Sequence, residues 1–173
     1  MKPLWLLAMP PIKNTIISVL DHWKDPITPA LGSVVYCDLA LGYMEHSGIY
    51  VGGGQIAHMN RHGRIELVTP ELFMQQTTAR RLYVSAHDDS SCGELAIAAY
   101  ARSMVGSVFR YNLVRRNCHW FSASCLLGQQ QHRIILLRQL QALAKQRLGT
   151  TAWHPTTLAG RQVAHTSDSI ATI

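Results

Sequence analysis

The stretch HSGIYVGGGQIAHMNRHGRIELV, residues 46–68, decides the fold class of this chain. Its apolar and β-branched runs at 48–51, 55–59 and 64–68 are short and separated by glycine-containing turns, which is typical of antiparallel strands. The triple glycine between the first two runs is not followed by Gly-Lys-Ser/Thr, so it indicates a hairpin turn and not a phosphate-binding loop. With a similar run at 33–37, the pattern predicts a meander of about four strands.

Helix signals follow the predicted strands. Ser91, with Glu94 three positions later, matches a capping box that opens an Ala-rich helix, and Gly106 can end it. A run at 81–85 predicts one more strand before this helix. Near the start of the chain, residues 12–23 predict a short helix.

The last strong pattern surrounds a cysteine. Asn117 is a favoured N-cap residue, the apolar run 118–127 follows it, and Gly128 suits the position just after a helix. Cys118 is therefore predicted in the first helical turn. A further amphipathic helix is predicted from about residue 132 to residue 148.

The composition describes one folded domain with a basic charge. The 173 residues include 16 Lys+Arg and 10 Asp+Glu, which gives a formal net charge of +6, and 47% are hydrophobic. This balance excludes a disordered or fibrous protein. The basic residues are scattered, so nucleic-acid binding gains no specific support and none is expected. The predicted organisation is an N-terminal extension at 1–30, a domain at 31–148 and a loosely ordered tail at 149–173.

The cysteines and the apolar segments bear on the cellular compartment. The four cysteines form no CxxC pair and no disulfide framework, so we expect reduced thiols. Prolines interrupt the apolar start of the chain, and no stretch reaches the roughly 18 apolar residues that span a membrane. We therefore expect a cytoplasmic protein without a signal peptide. The sequence leaves open its delivery into another cell and its oligomeric state.

Cys118 is the candidate nucleophile. A thiol attacks as thiolate, and a helix N-terminus or a partner imidazole must lower its ordinary pKa of about 8.5. The helix amides could also hold an oxyanion, with Asn117 as the cap, and Arg115 and Arg116 add positive potential. On this argument, iodoacetamide should label Cys118 faster than the other three thiols. The alternative is a small core residue, the role expected for Cys125.

Two histidines are candidates for the base. His46 and His58 border neighbouring strands of the predicted meander, so their imidazoles can lie side by side. His46 could take the proton of Cys118 while His58 fixes the tautomer of His46. The alternative is one hydrogen-bonded core histidine and one exposed histidine. A zinc site formed with His62 is also chemically conceivable, but no ligand spacing matches a metal motif, so no metal is expected.

Three separated motifs resemble those of one enzyme family. His46–Gly52, Ala57–Met59 and Arg116–Phe121 are similar to the motifs of the lecithin retinol acyltransferase-like proteins, a permuted branch of the NlpC-type, papain-like cysteine hydrolases. The resemblance covers about Leu31 to Gly128, and the motifs occur in the family's order, with the histidines before the cysteine. It implies an α+β, permuted papain-like fold with an antiparallel sheet.

The same resemblance implies a catalytic triad and differs from the family at one point. It implies Cys118 as nucleophile, His46 as base and His58 as the orienting residue, at the N-terminus of a helix. The animal members usually carry Asn-Cys-Glu-His-Phe, whereas His119 and Trp120 stand here in place of Glu and His.

The predicted reaction is acyl transfer or hydrolysis through a thioester on Cys118, without a cofactor. The expected partner is an acyl donor, with a lipid or another acyl ester or thioester as the leading class, and the basic helix ending at residue 148 allows peripheral membrane contact. Two alternatives are amide cleavage in peptide or peptidoglycan and a non-catalytic interaction domain. The candidate substrate contacts are Arg115, Arg116, Trp120 and Phe121.

Overall fold

The computed structural model describes residues 24–38, 45–75, 77, 79, 81–130 and 133–158. In chain order, the elements are β1 (Val34–Asp38), β2 (Glu45–Gly52), β3 (Gln55–Met59), β4 (Ile65–Val68), α1 (Pro70–Gln75), β5 (Leu82–His87), β6 (Ser90–Ser91), α2 (Leu95–Ser103), α3 (Cys118–Leu127), α4 (Leu137–Leu148) and β7 (Ala152–Pro155). This mixed arrangement with an antiparallel sheet confirms the predicted α+β class.

The strands form one antiparallel sheet in the order β4-β3-β2-β1-β5-β6, and β7 pairs with β5. The predicted meander is confirmed, because β1 pairs with β2, β2 with β3, and β3 with β4. Strand β5 confirms the run predicted at 81–85 and pairs with the other edge of β1. Strand β2 begins at Glu45, earlier than the predicted run, so His46 lies inside a strand.

The two faces of the sheet bury different apolar clusters. Alternation along β1 sends Val34 and Tyr36 to one face and Val35 to the other. The larger cluster packs against α2, α3 and α4, and the smaller one is closed by Phe73 of α1. Helix α3 therefore lies on the opposite face of the sheet from α1.

Both ends of α3 form as predicted. The Asn117 side chain accepts a hydrogen bond from the backbone N–H of Trp120 at 3.0 Å, and Gly128 has the left-handed φ of 65° that glycine tolerates. The predicted capping box before α2 is wrong. Ser91 belongs to β6, and Glu94 occupies the cap position without a side-chain cap bond. The preceding chain is tied to the sheet, where the N–H of Cys92 bonds to the Ser85 carbonyl at 2.9 Å.

The last helix and the segment after it differ from the predicted bounds. Helix α4 begins at Leu137 and not near 132, because Gln139 Oε1 accepts the two backbone N–H groups before it. Part of the predicted tail is ordered, since β7 pairs along β5 and Trp153 is buried against Tyr36 with ring centroids 5.1 Å apart. The helix predicted at 12–23 lies outside the described residues.

Candidate active site

Cys118 is the first residue of α3, held where the helix meets β2. Its side chain is buried, and its Sγ lies 3.8 Å from the Glu45 carbonyl oxygen. The preceding Asn117 uses both ends of its amide: Oδ1 caps α3, and Nδ2 donates to the carbonyls of Leu113 and Ile135 at 3.1 and 2.8 Å. One side chain thus fixes the helix start and the two segments beside it.

His46 and His58 meet across β2 and β3. His58 lies opposite Gly48, so His46 is its diagonal neighbour on the same face of the sheet. His46 Nε2 and His58 Nδ1 are 2.7 Å apart. Phe73 packs on both rings, with centroid distances of 4.6 Å to His46 and 5.4 Å to His58. The sequence-predicted side-by-side arrangement is what the structure contains.

Glu66 extends this pair, and the sequence reasoning missed it. It lies directly opposite His58 in the β3–β4 register, with Oε1 3.3 Å from His58 Nε2. Asn60 Nδ2 donates to the same oxygen at 3.1 Å. The predicted runs at 55–59 and 64–68 leave a turn at 60–63 and place Ile65 opposite His58. In the structure Asn60 and Arg64 also pair, since the Asn60 N–H donates to the Arg64 carbonyl, and this shift of one residue brings Glu66 opposite His58.

A buried polar cluster lies next to Cys118 on the α3 side. Ser47 Oγ is 2.8 Å from His119 Nδ1 and 3.0 Å from Ser122 Oγ. His119 is 4% exposed and Ser47 is fully buried. His119, one of the two residues that depart from the family's usual cysteine motif, is therefore hydrogen-bonded to the strand that carries His46.

Burial keeps the central groups uncharged. It raises the pKa of the Cys118 thiol to about 11, although hydrogen bonds from Ser47 and the backbone of His119 act in the opposite direction. Burial also lowers the pKa of His46 to about 3, with the charges of His58 and His119 adding to the effect. The sequence argument expected a lowered thiol pKa, but desolvation outweighs the helix terminus. The thiol and the imidazole are both neutral at pH 7.

A cavity of about 400 Å³ opens at these residues. Its wall combines the reactive groups with apolar and polar side chains: Glu45, His46, His58, Met59, Asn60, Arg61, Glu66, Val68, Leu72, Phe73, Gln75, Thr77, Tyr111 and Cys118. The volume lies within the roughly 300–1,000 Å³ typical of small-molecule sites.

The four predicted substrate contacts do not line this cavity. Trp120 and Phe121 are fully buried in the core, so their burial does not support the predicted contact with substrate. Arg116 stacks its guanidinium over the rings of Phe109 and Trp120, at 5.2 and 5.0 Å from the centroids. Arg115 is exposed outside the cavity wall. The apolar side chains of the cavity come from β4 and α1 instead, as Val68, Leu72 and Phe73.

Two further searches concern only the described part of the chain. No group of three or more His, Cys, Asp or Glu side chains there is arranged to hold a metal ion. None of its helices combines the length and apolar character needed to cross a membrane.

The comparison with protein families agrees with this geometry. A family model described as lecithin retinol acyltransferase matches residues 28–131, more than half of the 173-residue chain. No curated protein matches the chain. The chain belongs to the lecithin retinol acyltransferase family, whose members have a permuted papain-like fold and are Cys-His-His acyltransferases and hydrolases.

Proposed function

Because the chain belongs to the lecithin retinol acyltransferase family, we propose that it is a cysteine-dependent acyltransferase or hydrolase that forms a thioester on Cys118. The observation that carries the proposal is the 2.7 Å contact between His46 Nε2 and His58 Nδ1, in the wall of a cavity that also contains Cys118. A nucleophile, a base and an orienting group in one cavity are what covalent acyl transfer requires.

We infer the roles of the ring nitrogens from the same contact. Because Nε2 of His46 faces His58, Nδ1 is the nitrogen left to receive the thiol proton. The proton on His46 must then sit on Nε2 and be donated to His58 Nδ1. His58 in turn carries its proton on Nε2, which faces Glu66 at 3.3 Å. Glu66 is thus a positioning residue that favours the productive tautomer of both rings.

The proposed reaction consists of two acyl transfers, first to Cys118 and then to water or an acceptor. The Cys118 proton moves to His46 as sulfur attacks the carbonyl carbon. The ester C–O bond then breaks, and the leaving alcohol takes the proton from His46. Water or an acceptor hydroxyl attacks the thioester through the same histidine, and its proton returns to sulfur. The N–H groups at the start of α3 are the donors available to the oxyanion.

An acyl chain is the substrate group that suits the cavity best. Val68, Leu72 and Phe73 supply apolar side chains to the wall of the cavity that contains Cys118. Apolar lining with a few convergent polar groups is typical of sites that bind an apolar ligand in a defined orientation. This supports a lipid or another acyl ester as the donor.

The nucleophile can be tested by trapping the thioester. The purified 173-residue chain would be incubated with acyl esters of increasing chain length, a phospholipid and peptidoglycan fragments, and analysed by mass spectrometry. We expect an acyl adduct on Cys118 that Cys118→Ala abolishes and Cys92→Ala retains, and kcat/KM that rises with chain length. Turnover of peptidoglycan alone would transfer the assignment to amide cleavage. If no donor gave an adduct or turnover, the result would favour the alternative of a non-catalytic interaction domain.

The same assay tests the residues behind the nucleophile. His46→Ala should lower kcat/KM roughly 10²–10⁴-fold. His58→Ala should retain residual turnover, and the double variant should be no worse than His46→Ala. Glu66→Gln should lower kcat with KM unchanged, and Glu66→Asp should keep a higher kcat than Glu66→Gln. The matched control is Glu71→Gln, at an exposed residue, which should leave kcat unchanged. Full activity in His46→Ala would contradict the assigned base.

A further inference from the structure

Two loops lie beside the mouth of the catalytic cavity and are joined to each other. We call residues 60–64 and 107–116 the rim loops. Asn60 and Arg61 of the first and Tyr111 of the second line the cavity. The Phe109 N–H donates to the Gly63 carbonyl at 2.9 Å, and a Cβ at Gly63 would overlap the Phe109 carbonyl. The rim loops therefore form one continuous surface at the entrance.

This surface exposes large aliphatic side chains. Val108, Leu113 and Val114 are 65%, 57% and 68% exposed. Leu113 and Val114 occupy the tip of a tight turn that Asn112 and Arg116 close through backbone hydrogen bonds of 2.9 and 2.7 Å. The turn is anchored at its base, because Asn117 bonds to the Leu113 carbonyl and Arg116 stacks on Trp120. These contacts fix the backbone of the turn, and the Leu113 and Val114 side chains extend from it into solvent.

The same surface is uniformly positive. Arg61, Arg64, Arg110 and Arg115 are exposed on the rim loops, which contain no Asp or Glu. The asymmetry extends well beyond the loops, since no acidic residue occurs in the sequence between Glu94 and Asp168. A ligand that approaches the cavity along the rim loops meets cations and aliphatic groups together.

We propose that the rim loops dock the protein on an anionic lipid bilayer. Aliphatic side chains gain free energy when they enter the boundary between headgroups and acyl chains, and arginines gain when they meet lipid phosphates. Nucleic acid fits less well, because its phosphate backbone has no apolar phase to receive Leu113 and Val114. The docked orientation turns the cavity mouth toward the bilayer. Delivery of an acyl lipid to Cys118 rests on the proposed function, whereas docking itself does not.

Vesicle binding tests the proposal without catalysis. Cys118→Ala protein would be mixed with vesicles of phosphatidylcholine alone or of phosphatidylcholine with phosphatidylglycerol, and the bound fraction measured by flotation. We expect binding to the anionic vesicles that weakens as salt is raised. Leu113→Ser with Val114→Ser should weaken it more than about tenfold. Arg110→Ala should weaken it about fivefold.

Matched controls separate this surface from general charge or hydrophobicity. The controls lie away from the rim loops: Leu95 is 72% exposed on α2, and Arg138 is exposed on α4. Leu95→Ser and Arg138→Ala should each leave vesicle binding unchanged. Binding that is equal for all variants, absent from anionic vesicles, or replaced by rim-dependent binding to a DNA duplex would overturn the proposal.

Activity on a soluble short-chain ester distinguishes the two proposals. The Leu113→Ser/Val114→Ser variant should hydrolyse it as fast as the unmodified chain, because neither side chain lines the cavity. An unmodified chain that binds anionic vesicles but turns over no ester would refute the proposed chemistry and leave the docking surface standing.

Discussion

Replacing His119 by Gln should reduce the loss of stability of this protein in acid. Burial lowers the pKa of His119 to about 4 and that of His46 to about 3, against an ordinary value of 6.5. Below pH 6.5 the unfolded chain takes up protons that the folded chain refuses, so stability falls as pH drops from 6.5 toward these folded-state values. At pH 5, about 1.5 pH units below 6.5, each ring costs about 2 kcal/mol relative to pH 8.

Urea unfolding at pH 8 and pH 5 measures this effect. The two rings together should cost the unmodified chain about 4 kcal/mol over this range, and His119→Gln should remove about 2 kcal/mol of the loss. Gln can still hydrogen-bond to Ser47 but cannot take up the proton. Ser122→Ala removes the other hydrogen-bond partner of Ser47 but no titrating ring, so it should leave the loss unchanged. An equal loss for His119→Gln and the unmodified chain would refute the reasoning.

Two more predictions concern the reaction and the core. Turnover requires a neutral His46 and a protonated Cys118 whose proton can pass to that ring. This state is lost below the pKa of His46, about 3, and above the pKa of Cys118, about 11. The pH profile of kcat/KM should therefore be flat from about pH 5 to about pH 9, and a limb near neutral pH would contradict the neutral pair. Leu140→Ala should lower the free energy of unfolding by about 2–5 kcal/mol, because Leu140 is fully buried. The same change at Leu127, which is 37% exposed, should cost less, and equal costs in urea unfolding would show that α4 does not share the core.

The features that the sequence predicts well are local ones. The β1–β4 meander follows from short alternating runs with glycine turns between them, and neighbouring strands simply pair in order. Asn117 and Gly128 mark the two ends of α3 through interactions within one helical turn. The meeting of His46 and His58 follows from the hairpin between β2 and β3. In each case the deciding contact spans few residues.

The features that the sequence misses depend on distant partners. Strand β7 is ordered because β5, far away in sequence, offers it an edge. Ser91 is an exception, because a short-range pairing with Ala86 places it in β6 although it has the side chain of a cap residue. Trp120 and Phe121 flank the nucleophile in sequence, yet the helix turns both into the core. Composition and spacing carry no information about which face of α3 the sheet covers.

The neutral resting state of the site changes how Cys118 should be detected. Iodoacetamide reacts with thiolate, so a thiol with a pKa of about 11 is a poor target, although sequence reasoning from the helix N-terminus expects the fastest labelling there. An acyl substrate differs because its carbonyl approaches the α3 amides and receives the negative charge as an oxyanion. The proton therefore moves to His46 only when the carbonyl oxygen can take up the negative charge and the α3 amides can stabilise it. Burial, which opposes a free thiolate, also strengthens these hydrogen bonds in the transition state. Labelling by an acyl donor, and not by a general alkylating agent, is therefore the sensitive measure of this nucleophile.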